Sequence, residues 1–95
     1  MAAYVLSDIA VFDPDTYEAY RRRVPAVIEK YGGRYLVRGG ASEVLEGDRQ
    51  PNRLVVLEFP DMNALRRWYR SDEYQALLRI RQSAARSTIV AVGGV

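Results

Sequence analysis

The sequence predicts an α+β fold of element order β-α-β-β-α-β, the ferredoxin-like arrangement in which a four-stranded antiparallel sheet carries its helices on one face. Three features carry that reading. Arg53-Leu-Val-Val-Leu-Glu-Phe-Pro60 is apolar at consecutive rather than alternate positions, as in a strand covered on both faces. Tyr17, Tyr20, Val24, Val27, Ile28 and Tyr31 recur at three- and four-residue steps, one stripe of an amphipathic helix. A second stripe, Tyr74, Leu77, Leu78 and Arg81, follows the apolar strand. The 95 residues make one domain, residues 1–95, without internal repeat or linker.

Each element has its own local cause. Tyr4 to Phe12 is rich in strand formers and reads as the first strand. Asp13-Pro14 then supplies a capping oxygen followed by proline at the first helical position, where a missing N–H costs nothing. Pro25 should kink the first helix near Arg21 or restart it. Gly32-Gly33 closes it, because glycine accepts the left-handed cap. Arg34 to Arg38 forms a second strand, Gly39-Gly40 a kink or bulge, and Glu43 to Glu46 its continuation. Gly47 to Asn52 is turn chemistry, and Arg53 to Phe59 the third strand, stopped by Pro60. Asp61 caps a short helix with Leu65, Trp68 and Tyr69 inward. Ser71 caps another, so the second helix breaks near Arg70-Ser71. Thr88 to Val92 is the last strand.

Right-handed crossovers place the first and third strands together at the sheet centre. The third strand sends Val and Leu to both sides, and the chain is too short to cover both faces with helices. The helix-free face would be a contiguous apolar patch. A homodimer that stacks two sheets face to face would bury it in a two-fold contact.

Composition narrows the chemistry. The chain is 48% hydrophobic and 27% charged, with a net charge of +2 too small to imply a polyanionic partner. With no Cys and no His, disulfides, thiolate nucleophiles, His-ligated metals and histidine bases are excluded. No apolar run approaches the ~18 residues of a membrane span, and the N-terminus lacks a signal-peptide pattern, so the expected location is cytoplasmic. No phosphate-loop glycine pattern and no tight carboxylate cluster occurs, so neither cofactor nor metal is expected. Arg21-Arg22-Arg23 and Arg66-Arg67-Arg70 read as solvated helix faces. RNA-recognition domains share this element order but need exposed aromatics on the central strands, where this chain has Leu-Val-Val-Leu. No nucleic-acid partner is expected.

Asp8, Arg38 and Glu58 are charged positions inside strands, and buried charge is costly unless paired. Asp8 and Glu58 are therefore the catalytic candidates, if a carboxylate acts as base in a pocket between sheet and helices. Arg38, Trp68, Tyr74 and Arg81 are the substrate-binding candidates. Arg81 stands out because it ends an otherwise apolar stripe, where it could pair with Glu58 or hold a ligand's carboxylate. Ordinary ion pairs at strand ends or across a dimer explain the same charges, and aromatics at helical spacing equally suit a core.

Tyr31-Gly-Gly-Arg-Tyr-Leu-Val-Arg-Gly-Gly40, Leu45-Glu-Gly47, Glu58-Phe-Pro60, Trp68-Tyr69, Ser71-Asp-Glu-Tyr74 and Arg79-Ile-Arg81 occur in order over nearly the whole chain. That set resembles the small bacterial family known as domain of unknown function 1330. The resemblance implies the dimeric α/β-barrel superfamily, which also holds cofactor-independent monooxygenases, haem-degrading enzymes, muconolactone isomerases and ligand-sensing domains. Fold alone transfers none of those activities. Two readings stay open: a cofactor-independent enzyme, monooxygenase- or isomerase-like, acting on a small anionic molecule, and a non-catalytic ligand-binding or dimeric structural module.

Overall fold

The computed structural model describes residues 1–95. Its elements are β1 (Ala3–Val11), α1 (Pro14–Lys30), β2 (Arg34–Arg38), β3 (Arg53–Phe59), α2 (Met62–Arg70), α3 (Asp72–Ala84) and β4 (Ala85–Gly93). The strands form one sheet in the order β2-β3-β1-β4, every neighbouring pair antiparallel. This is the expected ferredoxin-like sheet, with β1 and β3 at its centre. No helix is long and apolar enough to cross a membrane.

The capping residues act as their chemistry suggests. The Asp13 carboxylate accepts from the Thr16 N–H and hydroxyl, and Asp61 accepts from the Ala64 N–H at 2.7 Å. At the end of α1 the Gly32 N–H donates to the Glu29 carbonyl and the Gly33 N–H to Ile28, a Schellman pair with Gly32 at φ 84°. Gly33 is required for a different reason. A Cβ there would sit 2.6 Å from the Phe59 ring and 2.8 Å from Ile28.

The structure corrects the expected path at several points. Helix α1 runs unbroken through Pro25. Residues 43–46 form no strand, because β3 begins at Arg53 and its last partner is the Gly39 N–H, which donates to the Leu54 carbonyl. The bulge lies between Tyr35 and Val37, not at Gly39-Gly40. Tyr69 is 36% exposed while Leu65 and Trp68 on the same helix are buried.

Alternation along β3 separates two environments. Val55, Leu57 and Phe59 are buried under the helices with Val5 and Ile9 of β1, Val24 and Ile28 of α1, and Leu77 and Leu78 of α3. Leu54, Val56 and Glu58 point to the helix-free face. Leu6, Val37, Val90 and Val92 share that face, each 40% exposed or more.

Candidate functional site

A small cavity lies between α1 and the sheet, and three local devices aim arginines at it. The first is the β2 bulge. Tyr35 faces the helices opposite Leu57, so plain alternation would turn Arg38 to the other side. The extra residue inverts the phase, sets Val37 opposite Val56, and brings Arg38 opposite Val55 on the helix side.

The second device is Pro25. Without an N–H, it cannot bond the carbonyl of Arg21 one turn earlier. That free carbonyl accepts from Arg38 Nη2 at 2.7 Å, so an Arg38 bond stands where a helix bond is missing. This explains how α1 tolerates the proline without breaking, and it fixes Arg38 at the cavity wall with its guanidinium 4.6 Å from the Tyr35 ring centroid.

The third device is Gly39, at φ 67°. That backbone conformation favours glycine, and a Cβ there would fall 2.6 Å from Arg53 Cζ and push the guanidinium aside. Arg53 opens β3, lines the cavity, and lies 5.9 Å from the Tyr17 ring centroid. Its Nε is buried with no hydrogen-bond partner.

Deeper in, the Tyr20 and Tyr74 hydroxyls stand 2.9 Å apart. Arg81 lies behind them, 4% exposed, its guanidinium 5.9 Å from the Tyr20 ring centroid and its Nε buried and unpartnered. Burial works against the Arg81 charge, but the phenols of Tyr74 and Tyr20 outweigh it and lift the pKa above the ordinary arginine value. Burial, and then the Tyr74 phenol, push Tyr20 well above the ordinary tyrosine range. Burial likewise raises Tyr35, with Arg38 opposing. The Tyr20 and Tyr35 phenols thus stay protonated at physiological pH and do not act as bases. Trp68 stacks on Tyr74 with centroids 4.2 Å apart and on Phe59 at 5.2 Å.

The cavity holds about 30 Å³, room for one or two waters. Among its lining residues are Ser7, Tyr17, Tyr20, Tyr74, Arg38 and Arg53, and no carboxylate. Arg21 at its edge is paired with Glu18, whose carboxyl that hydrogen bond holds down at about 2. Arg38, Arg53 and Arg81 take part in none of the ion pairs. The arrangement can hold negative charge and donate hydrogen bonds to it. No group of three or more acidic side chains stands close enough to hold a metal ion.

Four of the sequence candidates meet here: Arg38, Trp68 and Tyr74 in the cavity wall, and Arg81 against its tyrosines. The carboxylate candidates do not. Asp8 and Glu58 alternate onto the helix-free face, where Asp8 accepts the Asn52 N–H at 2.9 Å and Glu58 pairs with Arg34 at 2.7 Å. A pairing of Glu58 with Arg81 or Arg38 is therefore ruled out by the sheet itself. Arg53 and Tyr20 were missed. Counting back by twos from Phe59 puts Arg53 on the helix side, a signal the sequence did contain. Tyr20 sat in an apolar stripe that gave it no reason to differ from core.

No curated protein matches the chain. Among solved structures it is similar to a protein of unknown function from Rhodopseudomonas palustris (22% identity, TM-score 0.76, covering 99% of this chain and 82% of that one). It also resembles SnoaB, a cofactor-independent oxygenase from Streptomyces nogalater (14%, 0.65, 99% and 93%). A dimeric ferredoxin-like protein of unknown function from Jannaschia is a further neighbour (13%, 0.67, 99% and 100%). At these identities the likeness establishes the fold. The family model for the domain of unknown function DUF1330 matches residues 2–95, and the chain belongs to that family.

Proposed function

We propose that the protein is a homodimer, joined through its sheets, that binds a small organic anion between α1 and the sheet and acts on it without a bound cofactor. The observation that carries this reading is the set Arg38, Arg53 and Arg81, each against a tyrosine ring and none with a carboxylate partner. Arg81 is the buried member of the set, with Arg53 half-buried and Arg38 exposed at the mouth. A buried guanidinium without a carboxylate partner is costly, and a ligand carboxylate, enolate or phenolate would offset that cost. Guanidiniums and neutral phenols also lower the pKa of an enolisable molecule bound among them, so that it can release its proton to solvent water. The electron-rich anion so formed is the form that reacts with dioxygen without a metal or flavin. The fold shared with SnoaB supports this choice. As it stands the cavity admits only water, so binding requires the side chains at its mouth to move.

The dimer rests on the apolar helix-free face, where Leu6, Val37, Val90 and Val92 are exposed, and on the dimeric Jannaschia neighbour. Light scattering over a dilution series should give twice the chain mass, and Val56→Asp should reduce it.

A second reading is a binding module without catalysis, favoured by the absence of any carboxylate or histidine base in the cavity. Titration with 1-hydroxy-2-naphthoate, a planar phenol carboxylate, separates the two when oxygen uptake is followed alongside binding. Saturable binding that Arg53→Ala and Arg81→Met weaken about tenfold or more supports the anion site. Uptake of oxygen then marks an enzyme, and binding without it marks the module. Affinity unchanged in both variants would remove the proposal.

A further inference from the structure

On the far side of Trp68 lies a separate groove, between α2 and the β1–β4 side of the sheet, with a volume of about 310 Å³. That is the lower end of the size range of ligand sites, about 300–1,000 Å³, and far larger than the inner cavity. Its floor is apolar: Leu65 from α2, Ile89 and Ala91 from β4, and the face of Trp68. Arg66 and Arg70, one turn apart on α2, stand at its rim. The sequence pattern Arg66-Arg67-Arg70 suits a solvated helix face, and all three side chains are exposed, but only two also border the groove. Arg66 and Arg70 border the groove and Arg67 does not. Neither of the bordering arginines belongs to an ion pair.

The wall of the groove holds an unsatisfied polar atom. Trp68 is 2% exposed, and its indole Nε1 is buried with no acceptor. A buried N–H without a partner is uncommon and costs about 1–3 kcal/mol. Trp68 and Ile89 line both the inner cavity and the groove, so this unsatisfied donor lies in the wall between the two.

We propose that the groove is a second binding site, for an amphipathic monoanion. Its apolar body lies over Ile89, Ala91 and Leu65, and its carboxylate or sulfonate is held by Arg66 and Arg70. Charge complementarity selects this class: two unpaired guanidiniums and an apolar floor, with no acidic side chain in the lining. The arginines that would hold the anion, Arg66 and Arg70, lie outside the inner cavity, so the site stands whether or not the inner arginines bind a ligand.

The probes are 8-anilinonaphthalene-1-sulfonate and its neutral relative N-phenyl-1-naphthylamine, added to the intact protein. Trp68 is the only tryptophan, so energy transfer from it reports bound probe, and the variants show whether that probe sits in the groove. Replacing both Arg66 and Arg70 by Ala should weaken the anionic probe about tenfold or more and leave the neutral one unchanged. Arg67→Ala on the same helix should change neither. Ala91→Phe, at an exposed position on the edge strand β4, should fill the groove and abolish binding of both. Arg53→Ala, which alters only the inner cavity, should have no effect, and that separates failure here from failure of the inner site. No transfer in the native protein would overturn the proposal. So would equal losses for Arg67→Ala and the double variant, or binding that survives Ala91→Phe.

Discussion

Replacing Arg81 by Met asks whether a buried guanidinium is kept for stability or for a ligand. Arg81 is 4% exposed, its Nε has no partner, and no carboxylate pairs with it. An unsatisfied buried donor costs about 1–3 kcal/mol, and more when charged. Met removes that cost while keeping a long flexible stem beside Leu77 and Leu78. The loss to set against it is the Tyr20 ring at 5.9 Å together with the Tyr74 and Tyr20 hydroxyls that favour the charge, about 0.5–2 kcal/mol for a cation against aromatic side chains. The balance favours Met by about 1 kcal/mol, or about 4–8 °C in Tm for a chain of this length. Urea unfolding at one fixed protein concentration measures it, since dimer formation would make stability concentration-dependent. The midpoint should rise with an unchanged slope. Affinity for 1-hydroxy-2-naphthoate should fall in the same variant. A loss of more than about 2 kcal/mol would refute the reasoning, because it would mean the tyrosines satisfy the charge and the core depends on it. A gain in stability with affinity intact would sever Arg81 from the ligand.

Three further outcomes follow from the geometry. Pro25→Ala restores the N–H to the Arg21 carbonyl and relieves part of the ~3 kcal/mol that an interior proline costs, so urea unfolding should show a gain while Arg38 loses its anchor and anion affinity drops; a less stable variant contradicts this. Ser71→Ala removes an acceptor for the Tyr74 N–H and a donor to the Trp68 carbonyl and should cost about 1 kcal/mol, against less than about 0.5 for Arg70→Ala, and similar values for the two would mean the α2–α3 junction does not depend on its cap. Tyr20 is raised chiefly by burial, so the folded state keeps a proton that the unfolded phenol releases above about pH 10; stability is full below that pH and falls by about 1.4 kcal/mol per pH unit above it. Tyr20→Phe should flatten that alkaline slope in unfolding curves from about pH 9 to about pH 11, and identical slopes would show that water reaches the phenol.

Features that depend on near neighbours in the chain are legible without coordinates. Asp13, Asp61 and Ser71 announce helix starts because a side-chain oxygen reaches an N–H only three residues on. Gly32-Gly33 announces an end, and the unalternating run Arg53 to Phe59 announces a strand apolar on both sides. Arg81 was legible as an inward charge because its stripe is otherwise apolar. Which face each charged strand residue takes, and what meets it there, depends instead on contacts between distant segments. The β2 bulge reverses the side to which Arg38 points, and nothing local in Arg34 to Arg38 marks it. Pro25 reads in sequence as a break, yet the helix continues, with a guanidinium from a different element taking the carbonyl the proline leaves free. Asp8 and Glu58 read as possible bases, yet alternation in a paired sheet sends both to the helix-free face. Register and long-range hydrogen bonds link residues far apart along the chain, and a local pattern carries no record of its distant partner.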